Sequence, residues 1–289
     1  MIILKGISQV RFTLQAIFVY FFLLNPVSAA LLDDYPQNET ATILTTGQEI
    51  FLPLHVNNLW GMAIIGTVDL DAAADGMRAN DLYPIKISED KGLAIIYVLD
   101  YREAGLGPYQ EIMTLIGVTT NPDATIAENL IGFGSSYLPS VKDFLAGKVP
   151  DTGVYFEKIS LDSPLAITTG IEVWGIPKTY EQFQIENRFW STSVASVEIN
   201  FELKKEFGLW SPLQLNLASW TPTDYKQTRG ETLLSGWGRM GLIGSNDTFV
   251  LGENLQRLSF KPYIWQEILS GTDAVFFEGA IPQPESFND

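Results

Sequence analysis

Apolar and polar residues alternate along much of this chain once the first fifty positions are passed. Val197, Ile199, Phe201 and Leu203 fall on one side of a two-residue repeat, and Glu198, Asn200, Glu202 and Lys204 on the other. That spacing predicts a strand with one dry face and one wet face. Residues 92–101 form an apolar run interrupted only at Asp100, which suits a strand buried on both faces. Residues 112–118, 154–159, 183–186, 213–218 and 255–260 are further strand candidates, and the Gly, Pro and Asn between them suit antiparallel connections. Helical signals are few. Asp71 is placed to cap a helix through Met77, Ser140 after Pro139 can start a turn or two through Leu145, and residues 263–269 read as a third helix with Gly271 near its end. The pattern predicts a mainly β, α+β fold, with a curved antiparallel sheet closing into a β-barrel and a few short peripheral helices.

The amino-terminal residues follow a different pattern. Lys5 and Arg11 precede an apolar stretch from Phe12 to Leu24, which ends at Asn25-Pro26 and is followed by the small residues Val27-Ser28-Ala29. This predicts a secretory signal peptide over residues 1–29, and hence a secreted or periplasmic protein with no stable membrane span after cleavage. The alternative, an uncleaved anchor, has a short apolar run against it, since a span needs about twenty residues. Residues 30–48 are polar and weakly patterned and read as a flexible tail. Residues 49–289 then form the main domain.

Composition narrows the chemistry. The chain has no cysteine, so it has no disulfide, thiolate nucleophile or cysteine-bound metal. The formal net charge is −16, and the leader holds two cations and no acid, which leaves about −18 for the remainder. Such a charge argues against nucleic acid and anionic membrane surfaces as partners. His55 is the single histidine, so neither a histidine-based relay nor a histidine metal site is expected. No metal and no cofactor are expected. Gly105-x-Gly107 and Gly132-Phe133-Gly134 do not continue into a dinucleotide-binding fingerprint. Asn38 and Asn246 begin glycosylation sequons, which matter only in a eukaryotic secretory route.

The stretch richest in chemistry is Gly170-Ile171-Glu172-Val173-Trp174-Gly175-Ile176-Pro177-Lys178-Thr179-Tyr180. It reads as a strand-like apolar run ended by Pro177. In that setting Lys178 either snorkels to water from a strand edge or is buried. A buried lysine gives up its proton more readily, and a neutral amine can form a Schiff base with a ketone or aldehyde. Upstream lies Gly105-Leu106-Gly107-Pro108-Tyr109-Gln110-Glu111, and the lysine segment is led in by Leu161-Asp162-Ser163-Pro164-Leu165-Ala166. These segments, in this order, resemble those of the acetoacetate decarboxylase family. The Gly-x-Glu…Pro-Lys run is similar to that family's Schiff-base signature, and Gly-Leu-Gly-x-Tyr-x-Glu to the segment supplying an active-site glutamate. Acetoacetate decarboxylase is itself an established example of an amine activated by desolvation or a neighbouring cation.

The resemblance implies a cone-like barrel with the lysine inside, and catalytic roles for Lys178 and Glu111. It implies a small-molecule keto acid or ketone as partner and allows a homo-oligomer. Glu111 read without it is a solvent-facing loop or strand-start residue. Tyr109, Trp174 and Tyr180 are expected as walls, although aromatics in a strand-rich chain also serve as ordinary core. Glu172 matches a family glutamate, and a structural ion pair suits it equally. The family's second lysine is replaced by Thr179, so desolvation alone would have to activate Lys178. A family arginine becomes Ile171, a second glutamate becomes Ile96, and the upstream segment Asn57-Asn58-Leu59-Trp60 holds no arginine. Arg102 is the remaining candidate anion contact, or else a surface residue. The expected function is a Schiff-base-forming carbon–carbon lyase. The alternative is a non-catalytic barrel that binds an apolar ketone, lipid or similar ligand.

Overall fold

A computed structural model describes residues 31–77, 81–126, 141–205, 208–223 and 226–277. The expected signal peptide, the residues around Gly132-Phe133-Gly134, and Ser140 lie outside the described residues.

Helix α1 (Leu31–Asp34) leads into the small ladder of β1 (Thr42–Ile43) and β2 (Glu49–Ile50). The main sheet begins with β3 (Leu54–Asp69), followed by α2 (Leu70–Gly76), β4 (Tyr83–Pro84), β5 (Lys91–Ala104) and β6 (Tyr109–Thr119). Helix α3 (Val141–Leu145), β7 (Thr152–Leu161), α4 (Pro164–Trp174) and β8 (Thr179–Tyr180) come next. Then follow β9 (Gln184–Arg188), β10 (Ser191–Ala195), β11 (Ile199–Lys204), β12 (Leu209–Thr223) and β13 (Lys226–Leu242). The described chain closes with β14 (Thr248–Leu251), α5 (Glu253–Arg257) and β15 (Lys261–Phe277).

Nine strands form one sheet in the order β4-β6-β5-β3-β15-β13-β12-β7-β8, and β6 also pairs with β7 along most of its length. The circuit of hydrogen-bonded neighbours from β6 through β5, β3, β15, β13, β12 and β7 therefore returns to β6. Most of its ladders are antiparallel; β7 meets both β12 and β8 in parallel. A four-stranded sheet, β14-β11-β10-β9, packs outside it.

The parity of β5 explains its apolar run. Leu93, Ile95, Tyr97, Leu99 and Tyr101 enter one core cluster, and Ala94, Ile96 and Val98 enter the other. The second cluster is completed by Val194, Ile199, Phe201 and Leu203 of the outer sheet. Strand β5 is thus covered on both faces, as its sequence predicts.

Several local expectations are corrected. Residues 170–174, read as strand, end helix α4. Ser163 caps it by accepting from Ala166 N, Pro164 opens it, and Gly175 closes it at φ 64°. Residues 255–260 are not a strand but carry α5 and its exit, and residues 263–269 are not a helix but the middle of β15. Long ladders from β15 to both β13 and β3 override the helical pattern there. The alternation of β11 starts at Ile199. Val197 is exposed, while Glu198 is buried, bonded to Thr114, Lys158 and Asn254. The cap of α2 is Asp69 rather than Asp71. The segment expected to be a flexible tail is mostly exposed over residues 31–48, with a few anchoring contacts. Leu44 is buried, Tyr35 meets the Phe277 ring edge-on, and His55 Nε2 lies 2.7 Å from Tyr35 O.

Candidate active site

Three elements bring Lys178 and Glu111 together. Strand β6 pairs with β7 so that Glu111 lies opposite Leu161, and β7 pairs with β8 so that Leu161 lies opposite Tyr180. Asp162 fixes this corner, since its carboxylate accepts from Gln110 N at 2.8 Å and its own N donates to Gln110 O. Helix α4 leaves the corner and returns through the left-handed Gly175, where a side chain would be strained. Buried Ile176 and exposed Pro177 then carry the chain to Lys178.

Lys178 Nζ donates to Glu111 Oε1 at 2.8 Å, with the Glu111 side chain buried and that of Lys178 9% exposed. Glu111 Oε2 accepts from the Tyr101 hydroxyl at 3.0 Å. Tyr109 stacks on Tyr101 at a centroid distance of 4.3 Å. Burial and the Glu111 carboxylate hold both phenols well above their usual range, so they stay protonated.

The stem of Lys178 lies across Gly170 of α4. A methyl group at Gly170 would overlap Lys178 Cδ and Cε. Glycine is a poor residue for the middle of a helix, by up to about 1 kcal/mol against alanine. Its presence here matches the need for room under the lysine.

The pair sits in the wall of a cavity of about 110 Å³. Its floor and sides include Leu54, Leu99, Leu115, Phe156, Ile268 and Phe276. The charged lining residues are Lys178, Glu111 and Glu231, so Lys178 is the one cation among the described lining. Tyr97, Tyr101, Tyr109 and Trp174 also line it, and Trp174 Nε1 donates to Phe277 O at 3.0 Å. Among the described residues no cluster of His, Asp or Glu is arranged to hold a metal ion.

Lys178, Glu111, Tyr109 and Trp174 are therefore brought together. Arg102, Glu172 and Tyr180 are not. Arg102 points away from the cavity and bonds to Asp100 at 2.9 Å and Ser270 at 2.6 Å. Glu172 stands on the outer side of α4 and accepts from the backbone and hydroxyl of Thr45. Its expected place in the site assumed a strand, and the helix turns it outward. Tyr180 is 56% exposed and forms no wall. Thr179, where the family carries a second lysine, bonds to Ser160 Oγ and Ile159 O and so fastens β8 to β7. Ile96 faces the other core cluster. Sequence reasoning missed Tyr97 and Tyr101. The available signal was two tyrosines four apart in an otherwise aliphatic strand, hence on one face.

Comparison with known proteins gives a consistent picture. Residues 79–202, which contain both segments, match the acetoacetate decarboxylase family model. No curated protein sequence matches the chain. The structure is similar to acetoacetate decarboxylase from Legionella pneumophila subsp. pneumophila str. Philadelphia 1, with a TM-score of 0.51 at 12% identity over 90% of this chain and 97% of that one. A second acetoacetate decarboxylase structure gives a TM-score of 0.49 at 14% identity, covering 78% of this chain and 86% of that one. The enduracididine biosynthesis enzyme MppR complexed with pyruvate gives 0.44 at 10% identity, covering 78% and 88%.

Proposed function

The chain is a divergent member of the acetoacetate decarboxylase-like family, and from this premise we propose that it is a Schiff-base-forming lyase acting on a small ketone or keto acid through Lys178. The observation that carries the reading is the Lys178–Glu111 pair, 2.8 Å apart in the wall of an apolar cavity. We read the circuit of strand pairings around that cavity as a closed, cone-like barrel. We also keep the expectation that residues 1–29 are a secretory leader.

The chemistry uses the pair as a unit. A proton passes from Lys178 Nζ to Glu111 Oε1, which frees the nitrogen lone pair. Nζ attacks the substrate carbonyl carbon, the carbonyl π electrons move to its oxygen, and a proton passes from the now cationic nitrogen to that oxygen to give a neutral carbinolamine. Glu111 returns a proton to that oxygen as it leaves as water, giving a positively charged iminium. The iminium accepts the electron pair released when the bond between its α-carbon and the departing group breaks, that group leaving either as carbon dioxide from a carboxylate or as an aldehyde whose hydroxyl proton passes to the Glu111 carboxylate. The resulting enamine takes a proton at carbon, and water hydrolyses the iminium to release product and restore the amine. Tyr101 holds Glu111 in line, and its raised pKa keeps it a donor throughout. Because Lys178 is the one cation in the described lining and Arg102 lies elsewhere, an uncharged ketone suits this site better than an anionic keto acid.

The cavity's apolar lining also favours a second reading, a barrel that binds an apolar ketone or lipid without turnover. Borohydride trapping separates the two. Protein incubated with acetoacetate and a panel of ketones and aldehydes, then reduced and mapped by mass spectrometry, should carry an adduct on Lys178 that Lys178→Ala abolishes, and product should accumulate without borohydride. Diffuse labelling of surface lysines, or no adduct across the panel, would sink the lyase reading.

A further inference from the structure

The ladder between β5 and β6 pairs Tyr97 with Met113, Leu99 with Glu111 and Tyr101 with Tyr109. Tyr97 and Tyr101 are therefore the two diagonal neighbours of Glu111 on the cavity face, one on each side. Diagonal neighbours in a sheet stand about 7–8 Å apart, within reach of an aromatic side chain. Tyr101 uses that reach to donate to Glu111. Tyr97 does not. It is 3% exposed, it lines the cavity, and its hydroxyl has no hydrogen-bond partner among the described residues.

A buried hydroxyl without a partner is unusual in a native core. Phenylalanine would fill the same space without leaving a polar atom to satisfy, and much of the neighbouring lining is aliphatic. A cavity wall that keeps one buried hydroxyl unpaired is suited to a ligand carrying one polar atom at the matching place. Burial alone raises the Tyr97 phenol, so it remains a neutral donor. A neutral donor in a site whose other described charges near the pair are acidic favours an uncharged oxygen over a carboxylate.

We propose that Tyr97 is a specificity residue whose hydroxyl donates to a second, uncharged oxygen of the substrate, so that the substrate is a ketone with a further carbonyl, ether or hydroxyl oxygen beyond the carbonyl attacked by Lys178. This rests on the Schiff-base reading of Lys178 for the first oxygen, while the recognition of the second is independent of turnover.

The test uses isosteric pairs. Heptan-2-one is compared with 5-methoxypentan-2-one, where an ether oxygen replaces one methylene, together with the corresponding pair two methylenes longer. Affinities are measured by calorimetry and Lys178 adducts by borohydride trapping, in the unsubstituted protein and in Tyr97→Phe. Because the substitution removes only an unpartnered oxygen, a thermal melt should show the fold intact. The expected result is that at least one methoxy ketone binds about 10-fold more tightly than its alkyl isostere, the size expected of one good hydrogen bond. Tyr97→Phe should erase that preference while leaving the alkyl ketone within about 2-fold. Equal binding of both members of each pair, or a loss in Tyr97→Phe that is the same for both, overturns the proposal. Discrimination without an adduct would uphold the role of Tyr97 and remove the lyase reading. Adducts on Lys178 without discrimination would do the reverse.

Discussion

The protein buries two lysines against glutamates at nearly the same distance, and they differ in everything else. Lys205 Nζ lies 2.7 Å from Glu267 Oε1 and 2.7 Å from Asn187 Oδ1. Glu267 also accepts from Trp60 Nε1 and from Arg239, whose guanidinium lies over the rings of Phe189, Trp210 and Trp265. Lys178 lies 2.8 Å from Glu111 and has that one partner among the described residues, with an apolar cavity on its other side. Burial and a carboxylate are common to both. Lys205 uses two of its three N–H donors and Lys178 one, and of the two only Lys178 has open space beside it, which a substrate carbonyl can enter. A salt bridge knotted into a wider network reads as architecture, and one with spare bonds facing a void reads as chemistry.

The sharpest way to break this contrast is to remove each lysine. Lys178→Met should reduce turnover of any ketone substrate by at least about 10³-fold, because the nucleophile is gone. Trapping on residue 178 should vanish in mass spectrometry. Glu111 keeps Tyr101 as a partner and borders the cavity, so the loss in stability should be smaller than at the second pair. Lys205→Met removes one member of a closed network and should cost about 3 kcal/mol by urea denaturation. The Lys178 adduct should be untouched; if its yield falls with stability held above the assay limit, the two pairs are not independent.

Glu111→Gln should lower the rate by about 10²–10³-fold, the range for a general acid–base group. Adduct formation should slow more than substrate affinity weakens, read as a kcat change larger than the KM change. Gly170→Ala should lower the rate of adduct formation by about 10-fold while leaving the melting temperature unchanged or slightly raised, since alanine favours the helix but displaces the lysine stem. A variant that unfolds would show that Gly170 serves packing alone.

The smallest effect is in alkali. Tyr101 and Tyr109 are raised in the folded state, so above about pH 10 the unfolded chain loses protons first and stability falls as pH rises. The urea midpoint of Tyr101→Phe should fall less steeply with pH than that of the unsubstituted protein. Lys205, lowered by burial, works in the opposite direction in both proteins and cancels from the difference.

Much of the sheet was readable because its strands obey a two-residue period or are long enough to be apolar on both faces. Strands β5, β6, β7 and β12 fall where the pattern put them. The exchange of helix and strand between residues 255–260 and 263–269 has a simple cause. Short apolar runs carry no decisive period, and long-range ladders decide them. The misreading of α4 was avoidable, because Ser163-Pro164 at its start and Gly175 at its end are helix boundary signals. That Lys178 and Glu111 would meet was legible through their motifs, while their roles belong to the proposed reaction. Arg102 follows Tyr101 in the strand, so once Tyr101 is seen to face the cavity the two-residue period turns Arg102 outward. Tyr97 was beyond reach, because an unpartnered hydroxyl exists only once the neighbours are in place.

The cradle at Gly170 has a further consequence. In most ion pairs the head group is what fixes a lysine, so neutralising the pair releases the whole side chain to its rotamers. Here the shaft is confined by contact with a helix backbone, and contact does not depend on charge. In the proposed reaction, when the proton crosses to Glu111 and the electrostatic hold weakens, the amine keeps its aim. The site can change its ionic state without losing its shape, which is what a nucleophile must do when it discards its charge at the moment it is needed.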